Sequence, residues 1–266
     1  MNAPALTDNE FSLFRKMIYE TAGINLSDAK KALVSGRLAK RIKHYNLSSY
    51  ADYFKLVKSN AHGELQTAVD LLTTNETFFF REPKHFDFLR DTILPSWNGG
   101  QRRVWSAASS SGEEAYTLAM MLAAHSPTDA WEIVGTDIST RVLERARAAQ
   151  YPLADAEDIP QRYLSKYCLK GIGSQEGTFI VVRELRQRAS FIHTNLQQDL
   201  TRLGSFDVIF LRNVLIYFDM ETKQRVVARV QSRLKPGGYL MIGHSESLNG
   251  ITDDLKVVLP SIYRKP

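Results

Sequence analysis

Two adjacent glutamates, Glu113 and Glu114, follow the small-residue run Ser106-Ala107-Ala108-Ser109-Ser110-Ser111-Gly112. Such a run lets the backbone approach a ligand closely, and a helix starting at about Gly112 would aim its free N–H groups into it. The glycine spacing of a dinucleotide site, G-x-G-x-x-G, is absent. Two carboxylates at a helix N-terminus repel a diphosphate and attract a cation, so an ammonium or sulfonium ligand fits better than NAD or ATP. They also complement the helix dipole, by about 0.3–1 kcal/mol each, and either glutamate can be there for that alone. Asp137 closes the apolar run "WEIVGTD", the place where an acid binds a ribose hydroxyl pair. It can equally cap a helix that starts near Ser139.

Two more apolar runs end in polar groups. "ASFIHTNLQ" reaches Asn195, which can read an adenine edge, and Leu196, which can pack on its face. "FDVIFLRNVLIYF" runs into Arg212, Asn213 and Tyr217. A buried strand ending in Arg-Asn is costly unless those groups meet a partner; solvation of the strand end is the plain alternative. Together the four ends describe a nucleoside that lacks a diphosphate and carries positive charge, as S-adenosylmethionine does. A P-loop and a G-x-S-x-G elbow are missing. His125, His193 and His244 have no partner at metal-ligand spacing, so each reads as structural or exposed and no metal is expected. The single cysteine, Cys168, reads as a small apolar residue and excludes an internal disulfide.

The elements that must position these residues fall into two halves. From Asn9 to about Val69 apolar residues recur at helical spacing, as in Phe11, Phe14 and Ile18, or Val34, Leu38 and Ile42. Ser27 or Asp28 is a candidate N-cap, and "LSSYADYFKLVKS" is a second capped start. After about Glu82 short apolar strands alternate with helices, which predicts a mostly parallel sheet covered on both faces. The final run, "LKVVLPSIYRK", reads as one strand. Between Tyr151 and Ser190 the rhythm breaks, and roughly Leu169 to Arg188 reads as an inserted hairpin. The expected organisation is a helical domain over 1–70, a linker over 71–85, and an α/β domain over 86–266 with a β-insertion at about 155–190. The linker, "LLTTNETFFFREPKHF", runs polar residues into three phenylalanines and a lone arginine.

Of the 266 residues 44% are apolar, enough for a core, and the net charge of +5 favours acidic partners. No secretory signal is visible at the N-terminus. The longest apolar-rich stretch, near Tyr116 to Ala124, falls short of the ~20 residues that span a bilayer. A soluble cytoplasmic protein is expected.

"LLTTNETFFFRE", "VWSAASSSGEEAY", "VGTDIS", "FDVIFLRNVLIYF" and "LKPGGYLMIGHSES", in this order, strongly resemble the chemotaxis-receptor methyltransferases, the CheR family of protein-glutamate O-methyltransferases. The resemblance runs over nearly the whole chain. It implies a Rossmann-like S-adenosylmethionine-dependent methyltransferase sheet (α/β) with an inserted small antiparallel β-subdomain, preceded by a small all-helical domain. It implies S-adenosylmethionine contacts at Asn75, Thr77, Arg81, Glu114, Asp137, Asn195, Leu196, Arg212 and Asn213, with Glu113 less securely placed. It puts Arg81 and Tyr217 near the point of methyl transfer. Ala115 stands where many relatives have proline, which is optional in a first helical turn. No added repeat domain is expected after the sheet. The implied products are glutamyl methyl esters and S-adenosylhomocysteine, made at cytoplasmic receptor clusters for chemotactic adaptation.

A glutamate with a pKa of ~4.3 is already an anionic nucleophile at neutral pH, which agrees with the missing catalytic His or Cys. Alignment and exclusion of water are then the tasks. Arg81 can pair with the cofactor's carboxylate or orient the substrate's. Tyr217 can border the reacting methyl or be a buried aromatic. Between Lys30 and His44 every charged residue is basic. That face is either solvated or steers an acidic partner. Arg37, Lys40 and Arg41 are expected to meet a receptor's methylation helices, since no nucleic-acid motif is present. The hairpin's edges can accept a receptor C-terminal peptide by β-augmentation or be plain structure. A monomer with no membrane insertion is expected.

Overall fold

The computed structural model describes residues 4–266. Four helices come first: α1 (Asp8–Ala22), α2 (Lys31–His44), α3 (Tyr50–Lys58) and α4 (Glu64–Leu72). Thr7 and Glu10 form a reciprocal capping box at α1. Ser49 accepts the Asp52 N–H at the start of α3. Ser27 and Asp28 open a 3₁₀ turn, Asp28–Lys30, that leads into α2. Phe14, Ile18, Val34, Leu38 and Ile42 are fully buried, as their spacing requires.

Residues 73–83 run without regular structure to α5 (Lys84–Phe88). Then follow β1 (Arg102–Ala107), α6 (Glu113–His125), β2 (Trp131–Asp137), α7 (Thr140–Ala148), β3 (Gln150–Pro152), α8 (Gln161–Tyr167), β4 (Cys168–Lys170), β5 (Thr178–Val181), α9 (Arg183–Arg186) and β6 (Ala189–His193). The chain ends through β7 (Phe206–Leu211), α10 (Met220–Ser232), β8 (Leu234–Ile242), β9 (Lys256–Leu259) and β10 (Ile262–Arg264). The main sheet has seven strands in the order β6-β2-β1-β7-β8-β10-β9. The first five are parallel, and β10 and β9 close one edge antiparallel. The run "LKVVLPSIYRK" is therefore two strands and not one. Pro260 has no N–H for a ladder, and Ser261 takes φ +62, so the chain turns back there.

Successive strand residues face opposite cores. Val104, Ile133, Val208 and Phe210 join α5, α6 and the small β-sheet. Trp105, Val134, Ile209 and Leu211 join α10 and the helical domain, whose core is continuous with that face. Asp70 of α4 fixes this junction by accepting the Thr140 N–H (2.9 Å) and hydroxyl (2.8 Å), which caps α7 from the other domain. Strand order reverses at β1, between β2 and β7, which opens a crevice beyond the strands' C-terminal ends. The insertion is a three-stranded antiparallel sheet, β3-β5-β4, rather than a hairpin. Its first strand is too short and polar to show as an apolar run. Among the described residues no helix is long and apolar enough to cross a membrane.

Candidate active site

A cleft lies at the ends of β1, β2, β6 and β7, walled by residues 73–78 and Arg81. Asn75, Thr77, Arg81, Glu114, Asp137, Asn195, Leu196, Arg212, Asn213 and Tyr217 all line it. Arg37, Lys40 and Arg41 do not.

Its deepest feature is a charge network. The Arg212 side chain is 2% exposed. Its Nη1 donates to Glu114 Oε2 at 2.9 Å, and its Nη2 to Glu82 Oε2 at 2.9 Å and to the Arg81 carbonyl at 2.5 Å. Ser106 donates to Glu114 Oε1 at 2.6 Å. Burial pushes Glu114 above the usual carboxylate range, outweighing Arg212 and Ser106. Burial acts on Glu82 too, but Arg212 and Asn213 outweigh it and hold that carboxyl low. Two carboxyl groups share one guanidinium, a formal charge of −1 with both ionised, which suits a cationic ligand group.

Asp137 stands at the end of β2 and braces the loops on either side of it rather than capping α7, which Asp70 does. The Asp137 carboxylate accepts the Ser110 N–H (3.0 Å) and the Ser139 N–H (2.9 Å), and it also faces the cleft. Burial pushes its pKa to about 6. Arg81 is more open. Its side chain donates only to the Glu76 carbonyl (3.0 Å) and lies 5.5 Å from the Phe78 ring centre. Among the described residues it has no carboxylate within ion-pair distance. Tyr217 has its pKa raised by burial first and then by Glu76, so it is a neutral phenol at neutral pH.

Asn195 departs from expectation. Its amide nitrogen donates to the Thr21 carbonyl (2.6 Å) and its amide oxygen accepts the Gln197 N–H (2.9 Å). The side chain ties α1 to the sheet domain with one of its N–H groups and still lines the cleft. The three phenylalanines also divide. Phe79 is buried against Tyr151 and Phe80 stacks on Tyr163, whereas Phe78 is 41% exposed and lines the cleft.

Glu82 and Glu246 were not singled out by sequence reasoning. Besides Arg212, Glu82 accepts from Asn213 Nδ2 (3.2 Å) and from the His244 N–H (3.2 Å). Glu246 accepts the N–H groups of Gly243 (2.6 Å), Asn213 (2.9 Å) and Ile216 (3.3 Å), which fixes the turn carrying Tyr217. Both stand in the quoted motifs, but neither ends a strand, so strand-end logic passes over them. Around the cleft Phe80, Glu82, Ala108, Ser110 and Asn213 take positive φ without being glycine. Such backbone costs on the order of 1–3 kcal/mol per residue and gathers where function holds it.

His244 is not isolated, contrary to the expectation from spacing. Its ring lies 4.8 Å from that of His85, and both approach Glu82 Oε2, at 4.0 and 3.5 Å. Three ligand atoms thus converge within 4.8 Å. The carboxylate oxygen already serves Arg212 and a backbone N–H, however, and a dication would stand against that guanidinium. Burial first, then Arg212, pushes His85 down to about 3. His85 bonds Ser261 through Nε2 at 2.7 Å, and its buried Nδ1 faces Glu82 without a hydrogen bond.

The basic residues of α2 have different fates. Arg41 is engaged with Glu64, and Arg37 donates to the Leu72 and Thr73 carbonyls and the Thr74 hydroxyl at 2.9–3.0 Å. Lys40 is exposed.

Residues 75–263 match the family model described as "CheR methyltransferase, SAM binding domain", and residues 9–73 match "CheR methyltransferase, all-alpha domain". The chemotaxis protein methyltransferase of Escherichia coli (strain K12) is 41% identical over 249 residues, covering 92% of this chain and 86% of the relative. That of Salmonella typhimurium (strain LT2) is 36% identical over 263 residues, covering 97% and 91%. Chemotaxis protein methyltransferase 1 of Pseudomonas aeruginosa is 38% identical over 270 residues, covering 96% and 97%.

Proposed function

The chain belongs to the CheR methyltransferase family, and from that premise we propose that it methylates glutamate side chains of chemoreceptors, using S-adenosylmethionine, for adaptation in chemotaxis. The observation that carries this is the Glu82–Arg212–Glu114 network, negative by one charge and facing a cleft that also holds Asp137 and the open guanidinium of Arg81. The residues fit the cofactor group by group. Glu114 suits its ammonium, Asp137 its ribose hydroxyls, Leu196 the face of its base, and Asn75, Thr77 and Asn213 its polar edges. Arg81 suits its carboxylate or the acceptor's.

S-adenosylmethionine, when bound, supplies a sulfonium methyl: the acceptor oxygen bonds to the methyl carbon as the C–S bond breaks and its electron pair returns to sulfur. No proton moves, because a glutamate is ionised at neutral pH. Tyr217, a neutral phenol, therefore borders the transfer point and is not its base. A full ion pair from Arg81 to the attacking oxygen would blunt it, so Arg81 orients. Phe78 and Leu196 exclude water, which favours a transition state in which opposite charges cancel. The same reading places the protein in the cytoplasm at receptor clusters, as a monomer, with S-adenosylhomocysteine as second product. The open edges of β3 and β4 are where a receptor C-terminal peptide would add.

The test is transfer of radiolabelled methyl to receptor-containing membranes, followed by mild base. Label that appears on the receptor and leaves as volatile methanol is expected. Base-stable label, or none on the receptor, overturns the reading.

A further inference from the structure

We propose that α7 of the sheet domain forms the second wall of the substrate-docking groove, and that Arg141 and Arg145 there receive acidic residues flanking the methyl-accepting glutamate. This rests on the reading above and adds a surface to it.

The groove has a volume of about 510 Å³ and runs between α2 and α7. Arg37 and Lys40 line it from the helical domain, and Arg141 and Arg145 from the sheet domain. No acidic and no aromatic side chain lines it. Lys40, Arg141 and Arg145 are exposed, and among the described residues none of the four cations is in an ion pair. Arg41, one turn along α2, shows the contrast: it is neutralised by Glu64. Four cations outside any ion pair stand on two facing walls, and although Arg145 also lies within electrostatic reach of Asp155 and Glu113, they make a positive field that an acidic segment would relieve. Without a stacking aromatic, single-stranded nucleic acid lacks its usual platform.

The groove also leads to the site. Thr73 and Asn75 line both groove and cleft. Arg37, whose pKa burial lowers, lies within electrostatic reach of Arg141 on one side and Tyr217 on the other. Its guanidinium is fixed by three oxygens of the 72–74 backbone and side chain, so it is held in the floor. The two walls are set relative to each other by Asp70, which caps α7 from α4. A Cβ at Gly36 would meet nothing, so the α2 wall is open at that point. A groove that is basic on both walls and shares Thr73 and Asn75 with the cleft suits a segment that carries acids beside its methylated glutamate.

The experiment measures methyl transfer to receptor-containing membranes against receptor concentration, for wild type, Arg145→Glu and the Arg141→Glu/Arg145→Glu double variant. Calorimetry with S-adenosylhomocysteine runs beside it and reports an intact fold. Expected are an unchanged cofactor Kd within about twofold, a receptor KM raised at least tenfold in the double variant, and a smaller rise for Arg145→Glu. Because Arg145 makes no side-chain bond in the fold, its variant keeps the test valid should Arg141→Glu unfold. The wild-type advantage should shrink as salt rises, since exposed charges are screened over about 8–10 Å at 0.1–0.15 M. A KM unchanged in both variants, with wild type active, overturns this groove and leaves the methyltransferase reading standing. Loss of binding to single-stranded DNA or to anionic vesicles, with the receptor KM unchanged, also overturns it. No wild-type transfer to receptors at all overturns both.

Discussion

Two buried arginine–glutamate networks lie in this molecule, and they differ in how their charges sum. In the helical domain Arg41 holds Glu64, which is 1% exposed, and the Tyr45 hydroxyl adds a bond at 3.0 Å. One acid meets one base, the hydrogen bonds outweigh burial, and the Glu64 carboxyl stays below its usual range. Neither Arg41 nor Glu64 lines the cleft or the neighbouring groove. In the cleft Arg212 serves both Glu82 and Glu114, so two carboxyl groups meet one guanidinium, and burial raises the pKa of Glu114. The one-to-one pair lies within the helical domain's core, and the two-to-one group faces the cleft, where the proposed function gives it a cationic ligand group. Buried charge alone therefore does not mark a site; the imbalance facing a cavity does.

That contrast can be broken at several places. The largest effect is expected at the open guanidinium beside the network. Arg81→Ala should lower kcat/KM by at least about 100-fold, while the melting temperature moves by no more than about 2 °C, since the side chain supports little. A large drop in melting temperature with normal kcat/KM would reverse the assignment. Next come matched substitutions in the two networks. Glu114→Gln should weaken S-adenosylhomocysteine binding by about 10- to 100-fold with a small stability change, because Arg212 keeps Glu82. Glu64→Gln strands Arg41 and should cost up to about 3 kcal/mol of stability, with cofactor affinity unchanged. Calorimetry and urea denaturation on both variants decide between architecture and site.

Asp137 sharpens the comparison through pH. Its pKa of about 6 means that it is ionised above that value and protonated below it. Ribose hydroxyls donate to the ionised form, so cofactor affinity should hold above pH 6 and fall below it. Asp137→Asn should bind more weakly at pH 8 and lose that dependence. The smallest effect is expected at Glu113, which is buried, accepts from Ser111, and does not line the cleft. Burial pushes it to about 7, so it keeps a proton that the unfolded chain, near 4.5, has released. Its contribution is full below about pH 4.5 and is lost as pH rises through 7. Glu113→Gln should thus be more stable than wild type at pH 8, by about 1–3 kcal/mol, and equal to it at pH 4.

What the chain shows before folding follows from physical range. Parallel strands are buried on both faces, so "VIFL" reads as an unbroken apolar run, and the residue at its end is fixed in space. Asp137 and Arg212 were legible as cleft residues for that reason, and Glu114 from the helix start after the small-residue run. Glu82 and Glu246 act through loops that the fold brings together from distant sequence, and no local spacing shows this. Asn195 was legible as a position but not as an orientation, because its amide is turned by the Thr21 carbonyl, 174 residues away. Likewise His244, just after β8, meets His85 of α5 only in the fold. The final hairpin was missed where one proline and one left-handed serine reverse an apolar run.

The central claim is that this unbalanced cleft binds S-adenosylmethionine. Calorimetric titration of the purified protein with S-adenosylmethionine, and separately with S-adenosylhomocysteine, tests it most directly. One molecule of each should bind per chain, with binding lost or at least tenfold weaker in Glu114→Gln and undiminished in Glu64→Gln. Absence of binding by either ligand to the folded wild-type protein, or equal weakening by both substitutions, would contradict it.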